Sequence, residues 1–331
     1  MTSKPLDVLA IGNAIVDVIA DADDSFLERH AMTKGSMRLI DAAEAERLYA
    51  DMGPGRELSG GSAANTVAGL AALGLSTGFI GQIADDELGR IFAHDIKSLG
   101  VGFETPARGD TGPTGRCLIV VTPDAQRTMS TFLGAAQRLA PDAVTRAGVA
   151  RAKILYLEGY LWDPAEPRAA MEAAIEIARA SDTKVAFTLS DGFVVERHRA
   201  DFLRLIDTGK IDILFANEVE FLHLAHETDL KPAFDKFAHQ VPTLVVTRSE
   251  HGAMAASGRE RAHVPAVPVK RLVDTTGAGD LFAAGFLAGQ ARGRSLRQSL
   301  QLGAVAASEV IQHYGARPEL DLAALAEPLL K

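Results

Sequence analysis

Between residues 274 and 280 the chain reads Asp274-Thr275-Thr276-Gly277-Ala278-Gly279-Asp280. Residues of so little bulk let a backbone pass close to a ligand. Where such a stretch opens a helix, the unpaired N–H groups of the first turn point outward with the positive end of the helix dipole. That is an anion site. Asp280 sets a carboxylate where a phosphate would be welcome, and two readings stand: it caps the helix, or it takes a proton from a group that reacts there. The heptapeptide alone does not choose between them.

The elements that must place this stretch are readable on both sides of it. Residues 264–273 alternate and are rich in Val, which predicts a strand, and residues 281–289 are small and apolar at helical spacing, which predicts a buried helix. Further back, 6–11 and 16–20 predict two short strands, with Asn13 and Asp17 at the break between them. A helix capped by Asp41 is expected over 41–52, ended by Gly53-Pro54-Gly55. Gly60-Gly61 and Asn65 precede a small-residue helix to Leu73, followed by a strand over 77–83 and a helix over 85–99. Residues 116–121 and 127–132 predict a hairpin around Pro123-Asp124. From there the strands 154–157, 184–189, 211–216 and 243–247 alternate with helices over 164–180, 196–206, 218–224 and 231–239. That alternation implies right-handed βαβ units and a parallel sheet covered on both faces, with ligands at the carboxyl ends of the strands.

Composition narrows the classes. With 331 residues, 47% hydrophobic and 23% charged, the chain can bury a large core. A formal net charge of −9 and the lack of a basic stripe argue against nucleic acid or an anionic membrane as partner, while small anionic ligands remain compatible with a local loop. Cys117 is the only cysteine, so no intrachain disulfide forms. The apolar run within residues 1–11 is too short for a signal peptide and no later run could span a bilayer, so a cytoplasmic location is expected. There is no G-x-x-x-x-G-K followed by Ser or Thr, and Phe282 stands where a dinucleotide fingerprint needs its third glycine. His223 and His226 lack a third ligand at useful spacing and are not read as a metal site.

The heptapeptide with its small-residue helix resembles the C-terminal signature of the PfkB (ribokinase-like) family of carbohydrate and nucleoside kinases. Gly60-Gly61 with Asn65, the N-x-x-E of Asn217 to Glu220 after a strand, and residues 247–252, similar to the family's nucleotide-facing loop, fall in the family's order over essentially the whole chain. Residues 12–17, 26–41, 113–117, 127–135 and 189–193 are most similar to the adenosine kinase branch. Two departures bear on the acceptor. Adenosine kinases commonly carry Asn where Thr276 stands, as ribokinases do not, and Ala304 stands where some members have His.

The resemblance implies a ribokinase-like α/β fold: one domain over 1–331, a Rossmann-type mostly parallel sheet flanked by helices, and a small β lid with elements within about 14–40 and 109–135. The nucleotide would bind to about 180–331. It implies phosphoryl transfer from ATP with Mg²⁺, and a small-molecule acceptor. Asp280 would take the acceptor proton while the N–H groups of Gly277, Ala278 and Gly279 hold the phosphoryl oxygens. Asn13, Asp17, Gly60, Gly61 and Asn65 would bind the acceptor, with Phe193 stacking on a purine. Asn217, Glu220, Thr247, Gly252, Thr276 and Gly279 would face the nucleotide, Glu220 orienting Mg²⁺ through water. Arg127 would reach the transferred phosphate, and Asp274 would help bind a K⁺-like cation.

Plainer readings stand beside these roles. Asn65 and Glu220 could serve as first-turn helix residues, Arg127 as an exposed strand arginine, Phe193 as core and Asp274 as a turn residue. A carboxylate at a helix N-terminus is expected to have a lowered pKa, which makes Asp280 a weak base that takes its proton late. The preferred acceptor is the 5′-hydroxyl of a purine nucleoside, adenosine first. The alternatives are a free sugar such as ribose or fructose and, in another class, a sensor that binds without turnover. An exposed lid strand could pair with a second copy, so monomer and homodimer are both compatible.

Overall fold

The structure, a computed structural model, describes residues 5–124 and 126–330. Residues 1–4, part of the N-terminal stretch judged unlike a signal peptide, lie outside the described residues. In chain order the strands are β1 (Leu6–Ile11), β2 (Ile15–Asp21), β3 (Met37–Leu39), β4 (Arg56–Gly60), β5 (Thr77–Ile80), β6 (Gly102–Phe103), β7 (Gly115–Val121), β8 (Arg127–Phe132), β9 (Ala152–Glu158), β10 (Lys184–Thr188), β11 (Ile213–Asn217), β12 (Thr243–Thr247), β13 (Ala253–Ser257) and β14 (Glu260–Val264).

The large sheet runs β14-β13-β12-β11-β10-β9-β1-β5-β6. It is parallel from β12 to β6, and only the hairpin that adds β13 and β14 is antiparallel. Its central strands are near-continuous apolar runs because both faces are covered. Val8, Tyr156, Phe215 and Val245 point into one core layer, and Leu9, Leu155, Phe187 and Leu244 into the other. The period of two thus divides each strand between the layers.

The chain leaves this sheet after β1 and enters a second one, ordered β3-β8-β7-β2-β4. Val16, Val18, Leu118 and Val120 bury one face of it against Phe26 and Leu48. The alternate residues, Ile15 and Asp17 of β2 with Cys117 and Ile119 of β7, face a cleft above the carboxyl ends of the large sheet.

The expected strand over 264–273 ends at Val264, and residues 265–273 are irregular. Pro265 and Pro268 explain this, since neither can donate to a ladder. The strand expected over 77–83 stops at Ile80, and the helix expected from 196 begins at Gly192. The small sheet also holds more than the second strand and a hairpin: β3 and β4 widen it to five strands. Both are short and lie at its edges, where little apolar periodicity is needed. No helix among the described residues is long and apolar enough to cross a membrane.

Candidate active site

The helix Ala278–Ala291 begins after Gly277, whose φ is +78°. A Cβ there would lie 2.5 Å from Cβ of Ala316, so both the backbone conformation and the space require glycine. Ala278 N donates to Thr275 O (3.2 Å) and Leu281 N to Gly277 O (2.8 Å). The N–H groups of Gly279 and Asp280 between them have no acceptor in the helix. A Cβ on Gly279 would meet nothing within 4 Å, and Gly277, Gly279 and Asp280 all line an open cleft.

Asp280 does not cap this helix, which has no side-chain cap hydrogen bond. Its Oδ1 accepts from Ser62 Oγ at 2.6 Å and its Oδ2 from Asn65 Nδ2 at 2.9 Å, both from the helix Ser62–Ala72. The capping reading is thereby excluded: the carboxylate lines the cleft and is held there by another element. The lowered pKa expected for a helix start is also corrected. Loss of solvation raises it, outweighing the hydrogen bonds of Ser62 and Asn65 and the positive charge of Arg317. Asp280 is therefore a stronger base than an ordinary aspartate.

Asp17 approaches from β2. Burial lifts its pKa to about 6, against the charges of Arg317 and Arg127. A Cβ on Gly60 would stand 2.5 Å from the Asp17 carboxyl carbon, so that glycine makes room for the acid. Gly61 has φ +102°, and a Cβ there would strike the carbonyl oxygen of Asn13 at 2.1 Å. Asn13 itself is buried; its Nδ2 donates to Glu158 Oε1 at 2.6 Å. Glu158 Oε2 accepts from Ala63 N at 2.8 Å and from Asn13 N at 3.3 Å. Glu158 thus ties the entry to the small sheet to the start of the helix Ser62–Ala72.

On the other side, Asn217 and Glu220 form a reciprocal capping box at the start of the helix Glu218–Ala225. Asn217 N and Nδ2 donate to the two Glu220 oxygens at 2.9 and 2.6 Å, leaving a further lone pair on each. Burial lifts the Glu220 pKa to about 7. Thr247, Thr276, Asn217, Glu220, Gly279 and Asp280 all line one cleft of about 330 Å³, with Asp17 and Asn65 on its far wall. A wider groove of about 830 Å³ lies between β14 and the helix Leu230–Phe237. It contains neither Asp280 nor Asp17, and its charges largely pair among themselves, Arg248 with Glu218 and Lys231 with Asp235.

The sequence model of the pfkB family carbohydrate kinases matches residues 6–322. The chain belongs to that family. Among solved structures it is similar to the adenosine kinase from Sinorhizobium meliloti, at 48% identity over 98% of this chain and 99% of that one, with a TM-score of 0.90. It is also similar to a probable sugar kinase protein from Rhizobium etli, at 47% identity over 98% of both chains, with a TM-score of 0.90. Among curated proteins, the 5-dehydro-2-deoxygluconokinase of Geobacillus thermodenitrificans is 26% identical, covering 96% of this chain and 92% of that protein. The fold is ribokinase-like, and the five-stranded sheet fits the lid of a PfkB kinase.

Several residues expected at the site of this PfkB kinase are placed differently. Arg127 is not an exposed strand arginine: it forms an ion pair with Asp274, each side chain only 7% exposed. Asp274 Oδ1 accepts from Thr276 N (3.0 Å) and Oγ1 (2.8 Å), and Oδ2 accepts from Arg127 and from Gly315 N (3.1 Å). A K⁺-like cation does not fit beside a carboxylate so fully occupied. Phe193 is neither core nor a wall of the cleft; it is 72% exposed on the first turn of the helix Gly192–Asp207. Gly252, with φ +82°, lies against Val264 O, where a Cβ would stand 2.1 Å away, and is outside the cleft lining.

Ser62, Glu158 and Arg317 also support the site and are not among the residues that the sequence motifs point to. A glutamate closing the apolar run Leu155-Tyr156-Leu157 was a readable signal for Glu158, because strand carboxyl ends carry ligand sites. Arg317 follows Gly315-Ala316 in an irregular segment and carries no comparable signal.

Proposed function

We propose that this kinase transfers the γ-phosphoryl group of ATP to the 5′-hydroxyl of a purine nucleoside, adenosine first. The observation that carries the transfer reaction is Asp280, held by Ser62 and Asn65 beside the free N–H groups of a glycine-lined helix start. Asp280 accepts the hydroxyl proton as attack completes. The N–H groups of Gly279 and Asp280 bind phosphoryl oxygens, and the lid over the cleft excludes water. Asp17 and the free Oδ1 of Asn65 are acceptors for the donor hydroxyls of a sugar ring. Mg²⁺, when bound, would supply positive charge against the phosphates of ATP. Glu220 fits its hydrated form, since one lone pair on each oxygen remains to accept from a metal-bound water.

The nucleoside acceptor is favoured by the lid face. Ile15, Ile119 and Met129 present an apolar wall on the same side as Asp17. Such a wall suits a base and gives a free sugar nothing to bind. The similarity to the Sinorhizobium meliloti adenosine kinase supports the same reading. The sugar-kinase alternative draws on the Rhizobium etli and Geobacillus thermodenitrificans relatives. ADP release with Mg-ATP and a panel of adenosine, guanosine, inosine, ribose, fructose and 5-dehydro-2-deoxygluconate decides between them. The highest kcat/KM is expected for adenosine; preference for a sugar moves the assignment to that branch. Binding without ADP release for any acceptor would make the protein a sensor.

A further inference from the structure

Arg317 lies in the segment between the helices Leu296–Val310 and Leu322–Leu330, behind the cleft lining. Its guanidinium Nη1 donates to Ala64 O at 2.9 Å, and its Nη2 donates to Ser59 O at 2.5 Å and Ser59 Oγ at 2.9 Å. Ser59 is in turn fixed to the helix Glu87–Ser98, because its N–H and Oγ both donate to Asp95 Oδ2, at 2.8 and 2.6 Å. The two residues that Arg317 grips bracket one short stretch. Ser59 precedes Gly60, whose missing side chain makes room for the Asp17 carboxylate. Ala64 precedes Asn65, whose amide holds Asp280. Of its other donors, Nε is shut away from solvent without a partner.

The cleft brings two carboxylates of the same sign within electrostatic reach of each other, and the Asp280 charge raises the proton affinity of Asp17. The charged groups facing Asp17 are Arg317, Arg127 and Asp280, with Cys117 beside it as a neutral thiol, its pKa pushed up to about 12. Those facing Asp280 are Arg317 and, from β9, Glu158, with the phenols of Tyr156 and Tyr160. Arg127 is spoken for by Asp274. Arg317 is the cation that acts on both acids.

We propose that Arg317 is a positioning residue of the acceptor site: by clamping Ser59 and Ala64, the residues next to Gly60 and Asn65, it fixes the stretch that seats Asp17 and holds Asp280 and brings its positive charge to bear on both carboxylates. It touches neither reacting group. The inference rests on the kinase reading for its consequence, although the carboxylates can be followed without turnover.

The test compares Arg317→Gln and Arg317→Lys with the natural protein. In pH profiles of kcat/KM for ADP release, the acid limb of Arg317→Gln moves upward by about one pH unit or more, the effect of removing a nearby opposite charge. In Arg317→Lys the limb returns close to its original position while kcat/KM stays low, because an ammonium cannot bridge both carbonyls. A purely structural role would lower kcat in both variants and leave the limb in place, which overturns the proposal. The second measurement follows the carboxyl carbons in ¹³C-aspartate-labelled protein, with Asp17 and Asp280 assigned from Asp17→Asn and Asp280→Asn. Both signals are expected to titrate at higher pH in Arg317→Gln; unchanged titration overturns the proposal even if no acceptor is turned over. Absence of turnover in the natural protein would instead refute the proposed function. If Arg317→Gln does not fold, Arg317→Lys decides alone: carboxyls that titrate where they do in the natural protein support the proposal, and carboxyls displaced despite the retained charge overturn it.

Discussion

Asn65 Nδ2 donates to Asp280 Oδ2 across 2.9 Å, although 215 residues separate the two along the chain. The bond joins the helix that follows the lid strand β4 to the helix that opens the anion site. The Gly60-Gly61 motif and the D-T-T-G-A-G-D motif are thus two halves of one device. The first is followed by Ser62 and Asn65, the donors that aim the acid, and the second brings the acid and the free N–H groups proposed to bind phosphate.

Asp280→Asn should leave the fold and ATP binding intact and lower turnover by roughly 100- to 10,000-fold, the usual span for losing a general base. Steady-state ADP release and a thermal shift with ATP measure the two halves of that statement. Turnover near the natural rate would remove Asp280 from the mechanism.

The raised pKa of Asp280 fixes the sign of the pH response. Only the ionised form accepts a proton, so kcat/KM should fall as pH drops through a value above the ordinary aspartate range. Asn65→Ala removes a donor that favours the charged form, so its acid limb should lie higher still. A limb that moves down in Asn65→Ala would contradict the assignment.

Sequence reasoning found this site unevenly, for physical reasons. The parallel sheet was readable because strands buried on both faces must be apolar throughout, as in Ile154 to Leu157 and Thr243 to Thr247. Helix starts at Asp41 and Asn217 were readable because caps are local. The fate of Asp280 was not local: its neighbours in sequence suggested a lowered pKa, while its partners came from residues 62 and 65. The Asp274 ion pair with Arg127 belongs to the same class, joining β8 to a loop 147 residues away. Residue type indicated a charged group at each place, but only the fold decided what each charge would face.

That ion pair carries a prediction of its own. Both Asp274 oxygens are engaged by donors of the chain, so a monovalent cation gains no free carboxylate there. Replacing KCl by tetramethylammonium chloride at equal ionic strength should leave turnover and thermal stability unchanged. Strong activation specific to K⁺ would mean that Arg127 leaves Asp274 during the cycle.

Glu158 predicts a stability effect. Burial raises its pKa from 4.5 to about 7 in the folded protein. Between those values the folded state keeps a proton that the unfolded chain has released, so this residue makes stability fall as pH rises from about 4.5 to about 7, and no further above that. Glu158→Gln has no such proton. Its amide can still pair with Asn13 if the Asn13 side chain turns its unpartnered Oδ1 toward it. The variant should gain stability relative to the natural protein across that window, on the order of 3 kcal/mol by neutral pH. Parallel denaturation curves at pH 5 and pH 7.5 check the sign, and a constant difference between the two proteins would reject it.

The lid face tests the acceptor class directly. Met129 lines the cleft from β8, partly exposed, in a register that sets it opposite Ile119 of β7. Met129→Ala removes apolar surface without adding a polar group. If a base lies on this wall, the loss should be about 1–2 kcal/mol of binding, close to a tenfold rise in KM for adenosine with kcat little changed. A free sugar held by Asp17 and Asn65 would not feel the change, because neither residue depends on Met129 for a hydrogen bond. The ratio of the adenosine and ribose effects in one variant therefore separates the two acceptors without relying on absolute rates. Equal KM changes for both would mean that Met129 shapes the lid as a whole and that the apolar wall does not select the base.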